Sequence, residues 1–216
     1  MPNGFTYLGL ALALLGPGVL AALTRYAAPT PLPLSVSVFS LSAFAGLVAA
    51  VAALALVGEG LGRAEIGFGR MSWLTLPSAV VLALFLIFVY GPLAYQALAG
   101  LGIGGFDSGQ NMLAGLPTWY LVLVVIIVAG GEEWLYRGYA IERLEALTGS
   151  AWAAGGISLL VFGLAHVPVW GVGPALSTLV SGGILTGLYL WRRDVSFLIL
   201  AHVATDLSGL VVATRL

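Results

Sequence analysis

Six residues of this chain combine a reactive side chain with an apolar setting: Glu132, Glu133, Arg137, His166, His202 and Asp206. The first three continue the run Val124-Val125-Ile126-Ile127-Val128, while Asp206 and the chain's two histidines stand inside other apolar stretches. A charge at the centre of a membrane helix costs roughly 2.5 to 3.5 kcal/mol on insertion scales, so such residues pair with one another or line a functional cavity. Carboxylates and imidazoles gathered in a dry pocket suit one kind of chemistry, the removal of a proton from water and its later return.

Helical spacing divides the roles. Glu133 and Arg137 are i and i+4 with the acid first, the order that favours an intrahelical ion pair. Glu132 projects about 100° further round the helix, where Arg137 reaches it less easily, which makes it the better candidate for a free base. His202 and Asp206 are again i and i+4, so a carboxylate can orient that imidazole. Thr148-Gly149-Ser150 reads as the centre of a helical hairpin, with Glu132 17 positions before Gly149 and His166 17 positions after it. Both then lie about 25 Å along antiparallel helices. His202 and Asp206 follow Arg193 by nine and thirteen positions on a helix starting from the same side. Three helices are expected to converge on one pocket, with Glu132 and His166 within about 3 Å or one bridging water.

The elements that must position these residues are membrane spans. Of 216 residues, 60% are hydrophobic and only 8% are charged, too few to cover a water-soluble surface. The net charge of −1 and the lack of any basic run exclude nucleic acid as a partner. With no cysteine, disulfides and thiolate metal sites are excluded as well. Apolar stretches near the ~20 residues that cross a bilayer fall at 4–25, 34–57, 73–99, 116–136, 151–169, 174–191 and 195–214. The first lacks a basic leader region and reads as a retained helix, although Gly16-Pro17-Gly18 interrupts it. Gly91-Pro92 is expected to kink or end the third. Trp134, Tyr136 and Tyr139 read as interfacial aromatics, and Gly183 and Gly187 as a close-packing face. The fold expected is all-α, a polytopic bundle of about seven transmembrane helices around a polar catalytic cavity. It forms a single membrane-embedded domain over 1–216, with N-terminal helices in 1–115 and the motif-bearing core in 116–214.

Cytoplasmic loops hold the excess of positive charge. Seven spans place Arg63, Arg70, Arg137, Arg143, Arg192 and Arg193 on one side and Arg25 and Arg215 on the other. The N-terminus is therefore expected in the cytoplasm of a cell that carries the protein in its plasma membrane, with access to the pocket from that same face.

Three motifs, Glu132-Glu133-Trp134-Leu135-Tyr136-Arg137, Phe162-Gly163-Leu164-Ala165-His166 and His202-Val203-Ala204-Thr205-Asp206, occur in order on apolar helices. Together they resemble the CAAX prenyl endopeptidase type II or CPBP family, also called the abortive-infection family, of intramembrane proteases. The resemblance covers roughly residues 117–212. It implies hydrolysis of a peptide bond in a membrane-associated or lipidated protein, with Glu132 and His166 activating the attacking water. It implies that His202 and Asp206 stabilise the oxyanion, and that Glu133 and Arg137 support them. Many members of the family carry Asn at the last place; Asp206 donates a hydrogen bond only when protonated and otherwise orients His202.

Other readings use the same residues. Taken singly, Glu133 and Arg137 need be no more than a structural pair, and a histidine on an apolar helix commonly serves interhelical hydrogen bonding. Zinc is the mechanistic alternative to a cofactor-free site, with Glu132, His166, His202 and Asp206 as ligands, although no His-Glu-x-x-His signature is present. A non-proteolytic scaffold of the same fold, an immunity factor or a subunit of a larger complex is the alternative of another class. A proton-coupled transporter would need polar residues along a whole path, and the sequence shows one cluster.

Overall fold

The computed structural model describes residues 2–69 and 72–212, with side chains as far as Gly209; Arg70, Arg215 and the end of the expected 195–214 stretch lie outside the described residues. Every regular element among the described residues is helical. The chain runs through α1 (Gly4–Ala27), α2 (Leu34–Ala53), α3 (Thr75–Phe85), α4 (Gly91–Gly100) and the short α5 (Asp107–Leu113). It continues through α6 (Thr118–Glu133), α7 (Glu142–Thr148), α8 (Ala151–Trp170), α9 (Val172–Arg192) and α10 (Ser196–Asp206). Wider π-helical turns extend α2 over Leu54–Gly58, join α3 to α4 over Leu86–Tyr90, join α6 to α7 over Trp134–Ile141 and extend α10 over Leu207–Val212. Six of these rods are long and apolar enough to cross a bilayer, and a seventh, Ser196–Gly209, is apolar but shorter.

Several expectations change in detail. Gly16-Pro17-Gly18 does not interrupt α1, which passes through Pro17 unbroken; Gly16 faces Leu47 and Gly18 faces Ala165, so both flanking glycines admit neighbouring helices. Pro92 does not end its helix either. A proline removes an N–H and crowds the carbonyl four residues back, and the π turn just before it relieves that crowding. The helix that carries Glu132 runs on to Thr148 rather than stopping near residue 136. Gly149, with φ of 70°, then ends it, and the Ser150 side chain caps α8, so the hairpin lies where it is expected.

The bundle buries polar and aromatic groups and turns apolar ones outward, as lipid demands. Glu133 and Arg137 are buried, whereas Phe39, Val57 and Val81 are exposed. Trp134, Tyr136 and Tyr139 are buried inside the bundle, not interfacial. Exposed tryptophans stand elsewhere, with Trp73, Trp152 and Trp191 near one end and Trp119 near the other. Of the expected close-packing pair, Gly183 faces Leu159 while Gly187 faces open space, and Gly155, Gly163 and Gly182 sit more tightly against neighbouring side chains.

One end is tied together by the N-terminus, residues 58–69, α7 and the α9–α10 turn. Glu59 accepts hydrogen bonds from Thr6 at 2.5 Å and from Tyr139 at 2.7 Å. Arg143 pairs with Glu59 at 3.7 Å and donates to the Glu65 carbonyl. Arg193 donates to Glu142 at 2.9 Å and to Glu145 at 2.6 Å, and those bonds, the Glu145 one foremost, hold its pKa above the ordinary arginine value. The Gly67 carbonyl accepts from the Val195 N–H, and the Ile66 carbonyl from the Trp134 indole. The segments of Arg63, Arg143, Arg192 and Arg193 thus share one end, with Arg25 at the far end of α1. Gly67 makes the closest approach. Its φ is 87°, and a Cβ there would collide with the Gly138 backbone. Gly67→Ala should therefore destabilise the protein by about 1–3 kcal/mol, the usual cost of holding a side chain in that conformation, read as a lower unfolding midpoint in detergent.

Candidate active site

The site starts from the end of α6. Glu133 is fully buried, and one of its oxygens, Oε1, accepts from Arg137 Nη1 at 2.9 Å and from His202 Nδ1 at 2.9 Å. The first bond is the intrahelical pair expected from spacing. The second, which crosses to α10, was not legible, because helical periodicity relates neighbours on one helix and says nothing of partners 69 positions away. It follows from depth all the same. Arg193 and Glu142 are bonded, His202 lies nine positions beyond one and Glu133 nine before the other, so both reach roughly 14 Å from that tie.

Arg137 ties its own helix to α8 and α9. Besides Glu133 it donates through Nη2 to the Gly182 carbonyl of α9 at 3.3 Å, and its guanidinium lies 4.1 Å from the centre of the Phe162 ring of α8. A Cβ at position 182 would come within 3.0 Å of Nη2 and 3.2 Å of Phe162, so glycine is what lets α9 offer its carbonyl. Phe162 also meets Tyr136 edge-on at 5.0 Å and His166 at 4.6 Å. Where the helix widens after Glu133, the buried Ser158 hydroxyl donates to the Tyr136 carbonyl at 2.7 Å.

His166 Nδ1 lies 2.8 Å from the Phe162 carbonyl. A carbonyl only accepts, so Nδ1–H donates to it, and Nε2 is the nitrogen left toward the cavity. This backbone bond draws the ring against its own helix, and His166 makes no direct hydrogen bond to Glu132 among the described residues, so of the two expected arrangements direct contact is not the one seen. Glu132 nonetheless lies close enough to His166, His202 and Asp206 for their charges to act on it. Its carboxylate makes no side-chain hydrogen bond among the described residues, and Arg137 pairs with Glu133 rather than with it. Asp206 Oδ2 stands 3.5 Å from His202 Nε2 and remains partly exposed.

His166, His202 and Asp206 line one cavity of about 410 Å³. The two histidines therefore share a pocket; Glu132 stands next to this group without lining the wall. Sequence spacing also missed Tyr90, whose hydroxyl reaches the Ser177 carbonyl at 2.5 Å and its hydroxyl at 2.9 Å across the cavity from α9. The signal available was its place two residues before Pro92, where the helix must bend.

Residues 114–208 match the family model of the Rce1-like type II CAAX prenyl endopeptidases. The match spans all three motifs and bears out the resemblance read from them. Neither the curated proteins nor the solved structures yielded a match.

Removing one partner of a buried ion pair strands the other, at a typical cost of about 3–5 kcal/mol. Arg137→Ala should therefore lower the unfolding midpoint sharply in detergent, whereas Phe162→Leu, which removes only the ring face beneath the guanidinium, should lower it less.

Proposed function

We propose that the chain is an intramembrane endopeptidase that hydrolyses a peptide bond of a membrane-associated protein or peptide without a metal, using water activated by Glu132 and His166. The observation that carries this reading is a carboxylate with no hydrogen-bond partner among the described residues, Glu132, set beside two histidines and an aspartate whose own contacts are largely spoken for. A free carboxylate and a lone pair on His166 Nε2 are the two acceptors that an attacking water needs.

In the proposed reaction Glu132 takes a proton from water as its oxygen attacks the carbonyl carbon. The oxyanion that forms is held by the Nε2–H of a doubly protonated His202, whose Nδ1–H is already committed to Glu133 and whose Nε2 faces the substrate. Asp206 contacts that Nε2 at 3.5 Å, too long for a strong bond, so an oxyanion can replace it there while Asp206 keeps the ring in place. Glu132 then passes its proton to the departing amine as the C–N bond breaks. Glu133 and Arg137 act at one remove by fixing the His202 ring.

Zinc would draw on Glu132, His166, His202 and Asp206. Among the described residues, no three His, Asp or Glu side chains are grouped so as to hold a metal ion, and His202 spends one nitrogen on Glu133. The donor geometry thus suits hydrogen bonding to water and substrate better than a tetrahedral ligand set.

The test is cleavage of membrane-anchored and prenylated peptides by the purified protein. Glu132→Gln, His166→Ala and His202→Ala should each reduce turnover about a hundred- to ten-thousand-fold, the usual loss on removing a general base or an oxyanion donor. Chelator should leave the wild-type protein active. Full turnover by Glu132→Gln would refute the assignment of the base, and activity lost to chelator and restored by zinc would replace the mechanism with a metal-dependent one.

A further inference from the structure

The cavity is not placed symmetrically in the bundle. Its inner part is walled by Leu86, Ile87 and Tyr90 at the middle of the α3–α4 rod, with Phe162 and Leu185. Its outer wall includes Phe106 and Gln110 from the connection between α4 and α6, Trp170 at the end of α8 and Ser177 in the second turn of α9. These outer residues all lie toward the end of the bundle opposite the arginines. None of the wall comes from residues 58–69, from α7 or from the α9–α10 turn, the segments that close the arginine-rich end with ion pairs and hydrogen bonds. The cavity therefore reaches toward the arginine-poor end, the end opposite the one from which the loops suggest access. By the excess of positive charge in cytoplasmic loops, that end faces away from the cytoplasm.

The wall also states what it can hold. The Ser181 hydroxyl donates back to the Ser177 carbonyl at 3.3 Å, and the Thr205 hydroxyl donates to the Ala201 carbonyl at 2.8 Å. With their protons spent on their own helices, these hydroxyls present lone pairs to the cavity and act there as acceptors. Backbone N–H groups of an extended peptide match them, whereas a helical segment has already used its own. Among the described residues, no basic residue other than the histidines lines the cavity. Nothing there offers the charge-assisted bond that a substrate's terminal carboxylate would need, and Asp206 would repel it.

We infer that the site takes its substrate from the non-cytoplasmic face of the membrane, as an internal, uncharged segment held extended along α9 and α10. This rests on the protease reading for what is done to the segment, and on the cavity and the arginines for where it comes from.

The chain has no cysteine, so single cysteines report position without background. Ser181→Cys and Gln110→Cys mark the inner and outer parts of the cavity, and Ala146→Cys, at an exposed position of α7, marks the arginine-rich end. Each is treated with a small, charged, membrane-impermeant thiosulfonate in sealed vesicles of either orientation. The cavity cysteines should be modified in right-side-out vesicles and protected in inside-out ones, and Ala146→Cys should show the reverse. Modification of the cavity cysteines from the cytoplasmic face overturns the inference, whichever side Ala146→Cys reports; Gln110→Cys keeps the test sound should Ser181→Cys fold poorly. A second arm uses one neutral peptide segment placed either inside a longer anchored peptide or at a free C-terminus. The wild-type protein should cleave the internal form and lose cleavage of the terminal one; equal cleavage overturns the substrate assignment. If neither peptide is cleaved, the protease reading falls, and the labelling still decides which face the cavity serves.

Discussion

A single carboxylate oxygen, Glu133 Oε1, accepts from both Arg137 and His202, and the arrangement of the motif-bearing helices depends on it. In a bilayer interior the alternative to a partner is not water but hydrocarbon, so a lone Arg or Glu at this depth would cost more than the helix contacts around it return. The pair also gains a backbone carbonyl from Gly182 and a ring face from Phe162. Each of these lies on a different helix, so neutralising one charge also fixes the separation of α6, α8, α9 and α10. Glu132, one position earlier and outside this network, keeps its carboxylate free because its neighbour has already taken the arginine.

Much of the fold was legible because lipid imposes a simple rule: long apolar runs become helices, and the breaks between them carry Gly, Pro and Arg. The hairpin at Gly149 could be read from the turn residues themselves. The Glu133–Arg137 pair could be read from spacing, since i and i+4 meet on any regular helix. What was not legible is contact between elements distant in sequence. The Glu133–His202 bond, the Gly182 carbonyl and the Tyr90–Ser177 bond all depend on how helices rotate about their own axes, which periodicity in an evenly apolar helix does not reveal. The aromatics Trp134, Tyr136 and Tyr139 misled for the same reason. An aromatic near a charged residue suits an interface as well as a buried polar cluster, and the latter applies here.

The first half of the chain, outside the family match, still helps to build the site. Residues 58–69 close the arginine-rich end against the π-helical segment through Gly67, Ile66 and Glu59, and α1 presses glycines against α2 and α8. In effect the N-terminal helices form a buttress on one side and at one end. The other end is left to a shorter cover, α5, whose Gly109 packs directly on Trp170.

The π-helical stretch from Trp134 to Ile141 has a consequence for how this protein can vary in length. A π turn takes up one more residue than an α turn over the same backbone span, so the helix carries surplus residues just after its two glutamates. Loss of one residue there could be absorbed by a return to α geometry, whereas loss of one residue from α6 would swing Glu132 and Glu133 about 100° against everything that precedes it. The widened stretch is thus a place of tolerance set directly beside a place of none, and the register of the two glutamates is set at that boundary.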